Sequence, residues 1–286
     1  MGRALAAAVI GFFLIFFVIP LIWLLLAPSK TTTQLNALEG ASPLSLGSFG
    51  QLVENWNGLV TFQDGIIWTW LGNSVLYSGA ALIITLLVTI PAGYALAKTT
   101  FRFRHTLLVM TLMVMLIPNT ALVLPIFLEI NAVGLGGTPW AVILPFSFFP
   151  FGVYLTYIYF STSISQDLLD AARVDGAGEV KVFWRIAMPL AKPVIALVGF
   201  FSFVTNWNNY FLPFVMVPGR KSPIQVGLAE LISNVPLFNP TTVSSITISL
   251  PQLALATVIS IVPVLIVFLF SQRFLVAGLT AGATKE

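Results

Sequence analysis

The sequence predicts an all-α polytopic membrane protein with about six transmembrane helices. Of its 286 residues, 58% are hydrophobic and only 8% charged, whereas soluble domains carry about 25% charged residues. Its mean hydropathy is +0.98. So few charges cannot clothe a globule of this size in water, so lipid must be the solvent for much of it. The third observation is length. A spanning helix needs roughly 20 mostly apolar residues, and six stretches qualify, at about 4–27, 67–97, 106–128, 140–161, 194–217 and 251–275. In lipid every backbone group must bond internally, which selects helices here, since the alternation of a membrane barrel is absent.

The first stretch, Ala4 to Ala27, is too long for a signal-peptide core and is followed by no small-x-small cleavage site before Pro28, so it reads as a retained anchor. With the connection up to residue 66 it forms a first segment. Residues 67–276 form the core, and 277–286 a cytoplasmic tail. The connections near 28–66 and 218–250 are rich in Thr, Ser, Gly and Pro, which is ordinary loop chemistry. Within the spans lie Pro91, Pro118, Pro125, Pro145, Pro150, Pro213 and Pro263. Each removes a backbone donor and bends its helix. Such breaks are tolerated where neighbours or a watery cavity satisfy the freed carbonyls, which suits a translocation path.

Orientation follows from the basic residues of the short loops. With the N-terminus inside, Arg3, Lys98, Arg102, Arg104, Arg173, Lys181, Arg185, Lys192, Arg273 and Lys285 are cytoplasmic, against Lys30, Arg220 and Lys221 outside. Both termini are therefore expected in the cytoplasm of a prokaryotic cell, on the inner face of its cytoplasmic membrane. The net charge of +3 forms no basic run, so nucleic acid is not an expected partner. There is no cysteine and a single histidine, His105. No metal site is expected, and His105 reads as a solvated flank.

The most informative stretch is the connection between the fourth and fifth spans, residues 163–193. It is long for a link between neighbouring membrane helices. Ser163 and Gln166 have capping-box spacing, predicting a helix start there. Leu168, Leu169, Ala171, Ala172 and Val174 give that helix an apolar, small-residue surface, and Gly176 is placed to end it in the left-handed region. Val180, Phe183 and Trp184 supply the apolar face of a second helix, closed by Pro189 and Pro193.

The run Asp170-Ala171-Ala172, three residues, Gly176, nine residues, Ile186-Ala187-Met188-Pro189 resembles the EAA loop of ABC importer permeases, written E-A-A, three residues, G, nine residues, I-x-L-P. Asp170 stands for Glu and Met188 for Leu, while Asp175 and Ala177 match the common D-G-A form. In that family the loop is a coupling helix that docks in a cleft of the ATPase subunit. The resemblance implies that role for Asp170, Ala171, Ala172, Asp175, Gly176, Ala177, Ile186 and Pro189. Physically, the small residues allow close seating, and Arg173, Lys181 and Arg185 suit acidic groups on a partner's rim. An amphipathic loop lying on anionic headgroups is the alternative.

Two further stretches resemble the carbohydrate-uptake group. Trp207-Asn208-Asn209-Tyr210-Phe211-Leu212-Pro213 is similar to its W-N-x-F/Y-x-x-P segment. The tail from Gln272 to Ala283 is similar to the R-x-L-V-x-G-L-T-x-G end of the maltose-type G subunit. There the tail enters the interface between two ATPase subunits, a role the resemblance implies for Gly278, Leu279, Thr280 and Gly282; a tail frayed in solvent is the alternative. Asn206, Trp207, Asn208, Asn209 and Tyr210 combine amides with aromatic rings, a pairing that suits a sugar's hydroxyls and C–H face. Asn119 and Asn73 are weaker candidates. Interhelical hydrogen bonding explains the same amides equally well.

The resemblance implies a non-catalytic permease subunit. Its partners are a second homologous permease in a heterodimer, two ATPase subunits and an extracytoplasmic solute-binding protein, with lipid around it and a sugar-like substrate. No G-x-x-x-x-G-K-[S/T] occurs, so no cofactor is expected on this chain, and ATP and Mg2+ belong to the partner ATPase. Alternatives are a glycerol-phosphate or phosphodiester importer permease of the same family and an ion-coupled secondary transporter. The latter usually places charged residues at mid-membrane, and the spans are nearly free of them. A membrane enzyme lacks any clustered His, Cys or carboxylate constellation.

Overall fold

The computed structural model describes residues 2–36, 42–240 and 247–281. The described residues are helical throughout their regular structure. In chain order the helices are α1 Gly2–Leu26, α2 Thr32–Leu35, α3 Phe49–Thr61, α4 Ile66–Lys98, α5 Arg104–Met115, α6 Val123–Ala132, α7 Trp140–Ser147 and α8 Pro150–Ser163. There follow α9 Gln166–Val174, α10 Glu179–Val182, α11 Met188–Leu190, α12 Lys192–Trp207, α13 Phe211–Met216, α14 Ile224–Ser233 and α15 Leu250–Ala281.

Among the described residues, four stretches are long and apolar enough to cross a membrane unbroken: Ala4–Ser29, Ile66–Lys98, Trp140–Ser163 and Leu250–Phe274. Two further helix pairs pass the same test of length and composition only when taken together, each bent at a break. Arg104–Met115 and Asn119–Ala132 meet at 97°, and Glu179–Leu190 and Lys192–Trp207 at 76°. Of the six expected spans, four are thus single long stretches, the third falls on the first bent pair, and the fifth falls on Lys192–Trp207, the second half of the other pair. The bends fall where proline sits. Pro118 caps the short turn Asn119–Leu122, and Pro189 lies in α11. The fifth span differs most from expectation: its helix ends at Trp207 and resumes at Phe211 instead of running through residue 217.

The chain forms two compact units, residues 1–72 with 223–262 and residues 73–222 with 263–286. In the first, α1 is exposed almost along its whole length, with Phe12, Phe13, Phe16 and Phe17 outward, as suits a helix whose solvent is lipid. At its end the chain folds into a small knot where the sequence predicted only loop. Thr31 and Gln34 cap α2 reciprocally, Gln34 N donating to Thr31 Oγ1 at 3.2 Å and Thr31 N to Gln34 Oε1 at 3.1 Å. Asn55 of α3, buried, donates to the carbonyls of Pro28 at 2.9 Å and Lys30 at 3.0 Å. Lys30 is itself only 1% exposed, its ammonium donating to Ser42 O at 3.2 Å and Pro43 O at 2.7 Å.

The second unit is built on small-residue packing. Thr89 and Gly93 of α4 face Gly152 and Thr156 of α8. A Cβ on Gly93 would come within 2.5 Å of Thr156, and one on Gly152 within 3.0 Å of Thr89. Small residues four apart on both helices let the backbones approach, which is how helices associate in lipid. α8 also packs against α5 and α12. Ile90, Tyr94, Phe160, Val194 and Val198 form a core that continues into the connection after α8 through Ile164, Leu169, Val182, Phe183 and Ala187.

Candidate functional site: an exposed elbow and a polar cavity

The connection at 163–193 folds as an elbow of two short helices. α9 starts two residues later than the Ser163–Gln166 spacing implied. Ser163 is still the last residue of α8, and Ser165 takes the N-cap without a side-chain hydrogen bond. The turn at Gly176 is as expected. Gly176 lies at φ +84, and Ala177 N donates to Ala172 O at 3.0 Å while Gly176 N donates to Arg173 O at 3.0 Å. These bonds close the end of α9 around a left-handed residue.

One salt-bridged cluster locks the turn. Arg173 donates from Nε and Nη2 to the two Glu179 oxygens at 2.7 and 3.1 Å, and from Nη1 to Asp170. Gln166 Nε2 donates to the same Asp170 oxygen at 3.1 Å. The hydrogen bonds from Glu179 first, and those from Asp170 after it, hold the Arg173 guanidinium above its ordinary value. Arg173 is therefore engaged within the elbow, not free for a partner's rim as its sequence position suggested. Glu179 was missed in the sequence because no local pattern links residues six apart across a glycine turn. Lys181 and Arg185 remain exposed.

The elbow has an inner and an outer side. Leu169, Val182, Phe183 and Ala187 are buried, with Ala172, Ala177 and Ile186 packed partly against them. Phe183 and Phe160 both lie against Tyr94 of α4, with ring centroids at 4.9 and 5.3 Å. Lys98 Nζ donates to Ile164 O at 2.6 Å and Tyr159 OH to Leu190 O at 2.8 Å, pinning both ends. Outward stand Asp170, Ala171, Asp175, Gly176 and Pro189. So do Leu168, Val174, Val180 and Trp184, the last three 87%, 74% and 53% exposed. Val180, Phe183 and Trp184, expected to share one apolar face, are divided: Val180 and Trp184, one helical turn apart, stand on the outer side, while Val182 and Phe183 are buried on the inner one, and a π turn follows at Phe183–Ala187.

The second site is a cavity of about 520 Å³ within the second unit. Asn119, Thr120, Asn206, Asn208, Asn209 and Tyr210 line it with Phe146, Phe149 and other apolar groups. The sharp bend before Asn119 and the helix break at Asn208–Tyr210 both open onto it. Irregular backbone at membrane depth is tolerated where it lines such a space. Asn206 donates to Phe146 O at 3.2 Å, and Asn209 Oδ1 accepts from Leu212 N at 3.3 Å, starting α13. Those two amides hold helices. Asn208 is exposed, and Tyr210 stacks on Phe214 at 5.3 Å.

Two sequence candidates are displaced. Trp207 does not line the cavity; it is 1% exposed and stacked on Phe203 at 5.4 Å, because the last turn of α12 points it into the bundle. Asn73 staples a loop, donating to Arg220 O at 2.9 Å and Ser222 O at 3.0 Å. Of the tail residues, Gly278, Leu279 and Thr280 lie in the helical backbone of α15, whereas Gly282 lies outside the described residues.

Broken apolar helices, a cavity at the breaks lined by amides among apolar side chains, and an exposed elbow are the features of a membrane permease. Residues 89–281 match the family model for the binding-protein-dependent transport system inner membrane component. The arabinooligosaccharides transport system permease protein AraQ of Halalkalibacterium halodurans is 33% identical over 279 residues, covering 96% of this chain and 95% of that protein. The diacetylchitobiose uptake system permease protein NgcG of Streptomyces coelicolor is 28% identical over 285 residues, covering 99% and 89%. The crystal structure of a bacterial ABC transporter involved in the import of the acidic polysaccharide alginate matches at a TM-score of 0.78 and 25% identity, covering 95% of each chain.

The chain belongs to the family of binding-protein-dependent transport system inner membrane components. It is a multi-pass inner-membrane permease subunit of an ABC transporter, works with a binding protein and an ATPase, and is not itself the catalyst.

Proposed function

We propose that this permease imports a sugar or small oligosaccharide, and that the elbow at 163–193 is the part an ATPase subunit grips. The observation that carries the reading is the two-sided elbow: an outer apolar ridge at Leu168, Val174, Val180 and Trp184 over an inner side fused to the core of α4, α8 and α12. Exposed apolar residues on a surface that is rigid behind suit a protein cleft. In this reading the chain pairs with a related permease, and two ATPase subunits bind ATP and Mg2+. Both termini share the cytoplasmic side with the elbow, and the end of α15 with the tail through Gly282 reaches the ATPase pair.

Sugar as cargo is supported by the cavity's chemistry, an aromatic ring beside free and half-free amides, and by the oligosaccharide names of several relatives. Among the cavity residues, Asn208 and Tyr210 are the substrate-facing pair, with Asn119 in the same lining. The test is photocrosslinking from position 174 in the assembled transporter. A nucleotide-hydrolysing subunit captured through Val174→Cys supports the reading. Capture of lipid alone, with the complex intact, overturns it.

A further inference from the structure

We infer that α3 is an interfacial helix whose exposed apolar stripe lies in the lipid–water boundary at the end of α1. The stripe is formed by Phe49, Val53 and Trp56, which are 79%, 41% and 40% exposed. They recur at i, i+4 and i+7, one face of a helix. The adjoining exposed face carries Glu54, Asn57 and Thr61, while Asn55 and Leu59 are buried on the remaining side. A helix with an apolar stripe outward and a polar face beyond it is the form that settles in a bilayer's interface plane.

What fixes the depth is attachment, within the first unit, to the end of one apolar span and the first turn of the next. Through Asn55, α3 is hydrogen-bonded to the carbonyls of Pro28 and Lys30, where the first apolar span stops at Ser29. Through Trp56 it meets Trp68, ring centroids 6.0 Å apart at an interplanar angle of 63°. Trp68 lies in the first turn of the span Ile66–Lys98 and is 47% exposed. The stripe is thus continuous with lipid-facing surface, and its two tryptophans sit at a span terminus, where amphipathic rings concentrate at the headgroup level. The turn Gln63–Gly65, all three residues at positive φ, joins α3 to α4 directly. α3 therefore has no slack to leave that level. A protein partner on the stripe is the competing occupant, and the test separates the two.

The native chain has no cysteine, so single cysteines are clean probes. The intact transporter, its other subunits cysteine-free, is placed in phosphatidylcholine–phosphatidylglycerol nanodiscs with nitroxide at F49C, V53C, E54C or N57C. Collision with oxygen and with a nickel chelate is then measured. The oxygen-to-nickel ratio is expected to be several-fold higher at 49 and 53 than at 54 and 57. Equal ratios at all four, or labels at 49 and 53 immobilised and closed to both reagents, overturn the inference. As a second readout, lipids brominated near the headgroup should quench the fluorescence lost in W56F; no difference in quenching between native and W56F also overturns it.

Discussion

At the scale of single residues, the cavity lining separates Asn206 and Asn209, which hold helices, from Asn119 and Asn208, which are exposed. Asn206 and Asn209 hold Phe146 and Leu212, so replacing either leaves a polar backbone group short of a partner, at about 1–3 kcal/mol. Asn206→Ala is expected to lower yield and thermal midpoint. Asn208→Ala is expected to leave both unchanged and raise the substrate concentration for half-maximal uptake several-fold; the reverse pattern would return Asn208 to a structural role. In the elbow, Glu179→Gln removes one arm of the Arg173 fork. An exposed ion pair contributes about 1 kcal/mol or less, so unfolding should scarcely move. Coupled ATP turnover in the assembled transporter should fall several-fold if the locked turn transmits force, and the exchange Arg173→Glu with Glu179→Arg should recover part of it.

At the scale of elements, the sequence carried the existence of the spans, the bend at Pro118 and the end of α9, but not the break at Asn208–Tyr210 or the caps. Gly176 was legible because a left-handed residue after a small-residue helix has few other uses. The S-x-x-Q spacing was not a sufficient guide. It makes a capping box at Ser249 and Gln252, where Ser249 N donates to Gln252 Oε1 at 2.8 Å, yet fails at Ser163, which α8 keeps. Trp207 and Asn208 are neighbours in sequence with opposite destinies, because one residue of helix turns a side chain by 100° and only the tertiary break decides which faces the cavity. The small-residue seam between α4 and α8 was hidden for a similar reason: its four members are scattered over two apolar runs. Gly93→Leu should overpack it and cost about 1–3 kcal/mol, read as a lowered melting temperature in detergent, with Gly199→Ala, in ordinary contact with its neighbours, as a tolerated control.

For the whole molecule, composition alone placed the chain in lipid, and the family match places it in an ABC transporter. Division of labour follows: the purified chain should show no ATP turnover above background, and activity should appear only when an ATPase is added. Removing residues 277–286 is expected to leave membrane insertion and complex assembly intact while reducing coupled uptake severalfold. Unchanged uptake would remove the tail from the mechanism.

The continuity between the elbow's inner side and the helices behind it has one more consequence. Phe183 and Leu169 share a close-packed interior with Tyr94, Phe160 and Val194, and such interiors yield little to compression. A push delivered at Val174 or Trp184 therefore has no cushion in which to dissipate. Under the proposed function it would arrive as a joint tilt of α4, α8 and α12, like a crank keyed to three shafts at once, and two of those shafts, α8 and α12, border the cavity.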